Sequence, residues 1–193
     1  MVTDVEAKRF LNENGSWYRR YLPEIQNALA AQIQENPGKP APSVATVLAV
    51  IKQESNGQAW AVRYEPGFRK FLEGSPIVGT RPKTFGNAIS KETELVMRSS
   101  SFGLMQLMGQ TLREHGFENQ YLTECCDSKL GIMYGIKHLC KLMKKYQTLD
   151  EVLAAYNAGT PRRGANGKFG NQEYVDSANR FKEHWDYILS KNW

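Results

Sequence analysis

Ser43-Val44-Ala45-Thr46-Val47-Leu48-Ala49-Val50-Ile51-Lys52-Gln53-Glu54-Ser55-Asn56-Gly57 is the stretch that decides the fold class. Val44, Val47, Leu48 and Ile51 recur at i, i+3, i+4 and i+7, the spacing of one face of an α-helix. Ser43 stands at the N-cap position, where a hydroxyl accepts from an amide of the first turn. Asn56-Gly57 supplies the stop, because these residues tolerate the left-handed backbone that ends helices. Three residues beyond Ile51 comes Glu54, so its carboxylate projects from the apolar face. It also lies in the last turn, where the helix dipole presents negative partial charge. Desolvation and the dipole both disfavour an ionised carboxylate, and the pKa is expected to rise. A raised carboxyl pKa is what a general acid needs near neutral pH. The competing reading is a Glu that reaches solvent from a frayed helix end. Spacing alone leaves both open.

Outward from this helix, the chain reads as mainly helical. Residues 4–22 are polar and aromatic, with Trp17, Tyr18 and Tyr21. Pro23 is expected to open a helix at its first position, with Ile25, Leu29 and Ile33 on one face. Asn36-Pro37-Gly38-Lys39-Pro40-Ala41-Pro42 breaks the chain. Residues 58–98 show little periodicity and read as an irregular excursion with room for a small hairpin. Helical spacing returns with Phe102, Leu104, Leu107, Met108 and Leu112. It returns again with Ile132, Met133, Ile136, Leu139, Cys140 and Met143. Thr148 and Glu151 form a capping box. The helix they open closes at Asn157-Ala158-Gly159 and Pro161. A Gly/Arg/Asn-rich loop spans 160–171. Tyr174, Ala178, Phe181, Trp185 and Ile188 mark a last helix.

Composition narrows the class of protein. The 193 residues are 41% hydrophobic and 23% charged, which excludes disordered and collagen-like chains. No apolar run approaches the ~18–20 residues that cross a bilayer, so no integral membrane segment is expected. The net charge of +5 favours an anionic partner. It is spread along the chain without a basic tail or domain, which gives nucleic acid little support. A solvated, mildly basic surface explains it equally well. Cys125, Cys126 and Cys140 are odd in number and include an adjacent pair, a poor disulfide framework. Free buried thiols are expected, made in a reducing compartment. His115, His138 and His184 are scattered, and no metal site is expected. Residues 1–6 carry no basic stretch followed by an apolar one, so no secretory leader is visible.

Two further clusters could carry chemistry. In Ser99-Ser100-Ser101-Phe102-Gly103-Leu104-Met105-Gln106-Leu107-Met108, the serines suggest capping of a helix. Gly103 permits close backbone approach, and Gln106 both donates and accepts, which suits sugar hydroxyls and amides. An ordinary capped helix with a Met-rich core face fits the same residues. In Ala154-Ala155-Tyr156-Asn157-Ala158-Gly159, small residues allow close packing, and the Tyr156 hydroxyl could bond a buried carboxyl. Lys137, Lys141, Lys144 and Lys145 read as a solvated helix face. Arg162, Arg163 and Lys168 are better candidates for meeting an acidic substrate.

The order of these signals is more specific than any one of them. A Glu-Ser closing an apolar helix, then Gly-Leu-Met-Gln-Leu-Met, then Ala-Tyr-Asn-Ala-Gly, then a Tyr-Val helix resembles the lytic transglycosylase family with the soluble lytic transglycosylase (SLT) catalytic domain. Tyr134-Gly135-Ile136-Lys137-His138-Leu139 and Gln172-Glu173-Tyr174-Val175 extend the likeness, which covers roughly residues 43–188. Ala61-Val62-Arg63-Tyr64-Glu65-Pro66-Gly67-Phe68 looks like a bacterial and phage-related subgroup. The resemblance implies a lysozyme-like helical fold related to goose-type lysozyme over 43–193, with 1–42 as an N-terminal helical extension. It implies that Glu54 is the catalytic acid and then base. Ser55 would position the substrate or the Glu54 loop. Gly103, Met105, Gln106 and Met108 would line the substrate cleft. Tyr156 would orient Glu54, Asn157 would shape the wall and Tyr174 would lie near the site. Two positions depart from the family pattern: Gly109 stands where many members have Pro, and Gly170 where compact members have Glu.

The activity so implied is cleavage of the β-1,4 bond between N-acetylmuramic acid and N-acetylglucosamine in peptidoglycan, giving 1,6-anhydromuramoyl ends. No cofactor is needed, and a monomer is expected. The excursion, with Trp60, Tyr64 and Phe68, would supply an aromatic wall. One alternative is a muramidase, with Glu65 or Glu73 as a second carboxylate. Another is a non-catalytic peptidoglycan-binding or structural module. The substrate lies outside the cytoplasmic membrane, so the absence of a visible leader implies phage-type release or a leader removed beforehand.

Overall fold

The computed structural model describes residues 2–74, 79, 89–191 and 193. Among them are α1 (Asp4–Glu35), α2 (Val44–Ser55), β1 (Val62–Tyr64), α3 (Pro66–Glu73) and α4 (Lys91–Arg98). There follow β2 (Ser100–Phe102), β3 (Leu107–Met108), α5 (Gly109–Glu114) and a 3-10 turn (Leu122–Cys126). The chain ends in α6 (Ser128–Lys145), α7 (Leu149–Ala158) and α8 (Gln172–Ser190). The architecture is mainly α, as the periodicity predicts. No described helix is long and apolar enough to cross a membrane. The chain divides into two compact units: Met1–Gly57 with Ile136–Trp193, and Gln58–Gly135.

In the first unit, α2 is the central helix. Ala45 through Ile51 are buried without interruption. A helix that is apolar on all sides is one enclosed by neighbours. The single apolar face read from sequence is therefore too narrow. The caps are as expected: the Thr46 amide donates to Ser43 Oγ at 3.1 Å, and Asn56 ends the helix at φ 52°. α2 packs against α8 and α1, and α7 packs on α8; Ala154 and Ala155 of α7 are buried. The Thr148–Glu151 capping box is present, and Gly159 closes α7 at φ 75°.

α1 differs from the sequence expectation. It starts at a capping box on Thr3 and runs unbroken through Pro23 to Glu35. An internal proline costs about 3 kcal/mol through its lost hydrogen bond and ring clash. Here Trp17, Tyr18, Tyr21, Ile25 and Leu29 are buried on both sides of it. Each such side chain contributes about 1.5–3 kcal/mol on burial, so the continuous stripe outweighs the defect. The stripe ends at Leu29; Ile33, expected on it, is 54% exposed. The stripe encloses Trp185 of α8. Phe10 and Trp17 meet that indole edge-on at 4.9 and 5.4 Å, and Tyr18 stacks on it at 4.9 Å.

The second unit holds an antiparallel sheet in the order β1-β2-β3. Arg63 pairs with Ser101, and Ser101 with Met108. The stretch Ser99–Met108 is thus strand, turn and strand, not the helix start expected. Gly103 and Gln106 have φ of +75° and +45°, which no right-handed helix accommodates. The turn is tight: a Cβ on Gly103 would lie 2.5 Å from the Cys125 carbonyl oxygen. The excursion over 58–98 is more regular than its sequence suggests. β1, α3 and α4 lie in it, while 75–78 and 80–88 lie outside the described residues. Among the described residues its strand, β1, pairs with β2.

This unit also buries an ion cluster that the sequence reading missed. Glu94 accepts from Arg98 Nε at 2.9 Å and from Arg113 Nε at 2.8 Å through one oxygen. Its other oxygen accepts from Arg113 Nη2 at 3.1 Å. Arg113 also donates to the Phe117 and Asn119 carbonyls at 2.6 and 2.7 Å. Arg98 donates to Gln110 Oε1 at 2.9 Å. α4, α5 and the 117–120 loop are joined by these bonds. The three cysteines are free and buried, as expected.

Candidate active site

Glu54 leaves the buried helix α2 in its last turn, where the side chain becomes partly exposed. The Asn56 amide donates to the Lys52 carbonyl at 3.2 Å, and the Lys52 ammonium donates to Asn56 Oδ1 at 2.6 Å. The chain therefore turns into its left-handed cap immediately after the carboxylate. Ser55 is buried, and its hydroxyl donates back to the Ile51 carbonyl at 3.3 Å. That bond ties Ser55 to the helix that carries Glu54.

Tyr174 supplies the polar partner. It sits in the first turn of α8, and its hydroxyl donates to Glu54 Oε1 at 2.6 Å across 120 residues of sequence. Burial pushes the phenol pKa well above its usual value, and the negative charge of Glu54 and the hydrogen bond to it push the same way. Tyr156 adds to that shift. The phenol thus keeps its proton and remains a donor throughout the neutral range. The ring of Tyr156 tilts against His138 at 5.3 Å. Burial, then the nearby Lys141, lowers His138 to about 4, so this imidazole is neutral at pH 7. Sequence reasoning gave His138 no role beyond its place in the 134–139 likeness, since a lone histidine at a helical spacing carries no signal.

Asn157 is exposed at the end of α7 and accepts from Asn171 Nδ2 at 2.9 Å. The same Asn171 amide donates to the Ala154 carbonyl at 3.1 Å, so the end of α7 is clasped to the start of α8. The 160–171 loop makes contacts within itself. The Arg163 guanidinium lies 3.8 Å from the centre of the buried Phe169 ring and donates to the Gly167 carbonyl. Arg163 is therefore occupied as an internal strut.

Of the expected site residues, Glu54, Ser55, Tyr156, Asn157 and Tyr174 lie in the first unit, and Glu54 and Tyr174 are bonded. Gly103, Met105, Gln106 and Met108 lie in the second, in the β2–β3 turn and strand. Gln106 holds that turn through its amide. Its Nε2 donates to the Ala61 and Gly103 carbonyls at 2.8 and 2.9 Å, and its Oε1 accepts from Ser101 at 2.8 Å. Met105 is 1% exposed and packs its sulfur over Gly135, where a Cβ would collide at 2.1 Å. Met108 is half-buried, the better placed of the two methionines to meet a ligand. The two further carboxylates weighed from sequence are in ion pairs: Glu65 with Arg63 at 2.6 Å, and Glu73 with Arg69 at 2.8 Å.

Compared with known families, residues 31–175 match the model of the transglycosylase SLT domain. No curated protein and no solved structure matches the chain. A match over most of the chain, on a mainly helical fold with a small sheet, shows that the protein belongs to the transglycosylase SLT domain family, whose members are lytic transglycosylases acting on peptidoglycan.

Proposed function

We propose that this protein is a lytic transglycosylase that cleaves the β-1,4 bond between N-acetylmuramic acid and N-acetylglucosamine, with Glu54 as its single acid and base. The observation that carries this reading is the Tyr174–Glu54 hydrogen bond at the end of a helix whose residues 45–51 are all buried. It gives one carboxylate a fixed orientation, which a general acid requires. In the first step the Glu54 carboxyl gives its proton to the glycosidic oxygen as the bond to C1 breaks. The acetamido oxygen of the muramoyl residue stabilises the positive charge that develops there, a substrate-assisted departure from the two-carboxylate scheme. Glu54, now ionised, takes the proton of the C6 hydroxyl as that oxygen bonds to C1. The products carry a 1,6-anhydro ring, no water is consumed and Glu54 ends protonated as it began. Tyr174 holds one carboxylate oxygen through both steps and supplies a hydrogen bond when the charge appears. The reading puts the site of action in the extracytoplasmic wall.

The test is digestion of purified cell walls, with the released fragments weighed by mass spectrometry. Anhydro ends and loss of turbidity are expected from the wild type, and neither from Glu54→Gln. Reducing ends would make the enzyme a muramidase. Wall binding without clearing would make it a non-catalytic module.

A further inference from the structure

The segment matched by the SLT family begins at residue 31, so most of α1 lies before it. Two of its aromatic residues nevertheless bear on the end of α2. Trp17 lies flat against Gly57: a Cβ added there would sit 2.2 Å from the indole Cγ. Gly57 has φ 78°, a conformation that only glycine adopts without strain. Phe10 and Phe181 flank the Lys52 ammonium at 5.9 and 5.8 Å, the same group that bonds Asn56. Both anchors act on the two residues that follow Glu54-Ser55. A helix end without its cap frays by a turn, and the last turn of α2 is the one that carries Glu54.

We propose that α1 is a positioning element of the active site: Trp17 against Gly57, and Phe10 beside Lys52, hold the left-handed turn Asn56–Gly57 and so keep Glu54 in register with Tyr174. The proposal rests on the reading of Glu54 as the reacting carboxylate. The ring of Trp17 matters for its shape. Among the described residues its buried indole nitrogen has no hydrogen-bond acceptor, so Phe in its place forfeits no bond.

The experiment compares wild type, Trp17→Phe, Trp17→Ala, Gly57→Ala and the Trp17→Ala/Gly57→Ala double variant. kcat and KM on soluble wall fragments are measured well below each melting transition, and amide hydrogen exchange is followed over residues 52–58. Trp17→Ala is expected to lower kcat about tenfold per folded molecule with KM within about twofold, since small misplacements of a reacting group act on the chemical step. Exchange at Asn56 and Gly57 should rise in parallel. Trp17→Phe should keep at least about half of wild-type kcat, on the same argument. Gly57→Ala should be the weakest enzyme. The double variant should recover part of the loss, because the missing indole leaves room for the new methyl. A Trp17→Ala protein with wild-type kcat and unchanged exchange, altered only in melting temperature, would overturn the proposal. Should Trp17→Ala fail to fold, Trp17→Leu takes its place with the same expectations. Cleavage by Glu54→Gln would refute the functional reading instead, and the exchange rates would still decide the role of α1.

Discussion

Replacing Glu94 by Gln keeps the side chain's shape and removes its charge. The side chains of Glu94, Arg98 and Arg113 are 4%, 1% and 0% exposed, so water does not screen what is left behind. Two buried guanidinium groups would then lose the carboxylate they share, and the new amide NH2 would face their N–H donors. Breaking a buried pair in this way costs about 3–5 kcal/mol. For a chain of this length each kcal/mol lowers the melting temperature by about 2–4 °C, which gives a fall of roughly 6–20 °C. Glu73→Gln is the matched control. It breaks a Glu–Arg pair of the same 2.8 Å length, but its side chain is 47% exposed. Exposed pairs contribute about 0–1 kcal/mol, so its melting temperature should move by only a few degrees. Differential scanning calorimetry reads both. Amide exchange over α4 and α5 shows whether the loss begins there. If Glu94→Gln and Glu73→Gln cost the same, burial does not govern this cluster and the reasoning fails.

Other perturbations follow from the same geometry. Tyr174→Phe removes a hydrogen bond to a charged group, about 1.5–3 kcal/mol, and should lower kcat by about 10- to 100-fold with KM little changed in a wall-fragment assay. An unchanged kcat would mean that the Tyr174 bond plays no part in the chemistry. Gly103→Ala must hold a left-handed alanine and meet the Cys125 carbonyl at 2.5 Å, both backbone constraints. A loss of about 2 kcal/mol or more is expected in urea unfolding, and a smaller one would show that the turn can shift. His138 has its pKa lowered to about 4 by burial. Unfolded histidine titrates near 6.5, so the stability gained from keeping it neutral is complete above about pH 6.5 and is lost as pH falls towards 4, by up to about 3 kcal/mol. His138→Phe should flatten urea midpoints measured across that range; an unaltered slope would assign the acid sensitivity to other groups.

What could be read from sequence depended on how local the determining physics is. The ends of α2 and α7 were legible because Ser43, Asn56, the Thr148–Glu151 box and Gly159 act within one turn of their own helix. The glycine-leucine-methionine stretch was misread for the opposite reason. Its apolar residues fit a helical spacing, and strands of three and two residues are too short to show alternation. Only the positive φ of Gly103 and Gln106 separates the two, and a glutamine gives no warning of one. Glu94 and Arg98 are an i, i+4 pair and look like a solvated helix face. Their burial depends on Arg113, which is nineteen residues away from Glu94. Pro23 misled because local geometry argues for a boundary that the packing of α1 overrides. For the candidate site, spacing singled out Glu54 as a carboxylate on an apolar face and left its role open. Tyr174 entered only through resemblance, since no local pattern links residues 120 apart.

The enclosure of α2 bears on how the candidate site is lost on heating. A carboxylate carried on a surface helix can lose its setting by local fraying while the rest of the molecule stays folded. Here residues 45–51 have no solvent face, so while the last turn can fray, detaching the body of the helix means opening the whole unit around it. Loss of activity on heating should therefore be steep and should coincide with the melting of the first unit. Proteolytic nicking at the exposed residues 164–168, by contrast, leaves α2 and the Asn171 clasp untouched and should not change the wall clearing expected of the proposed activity.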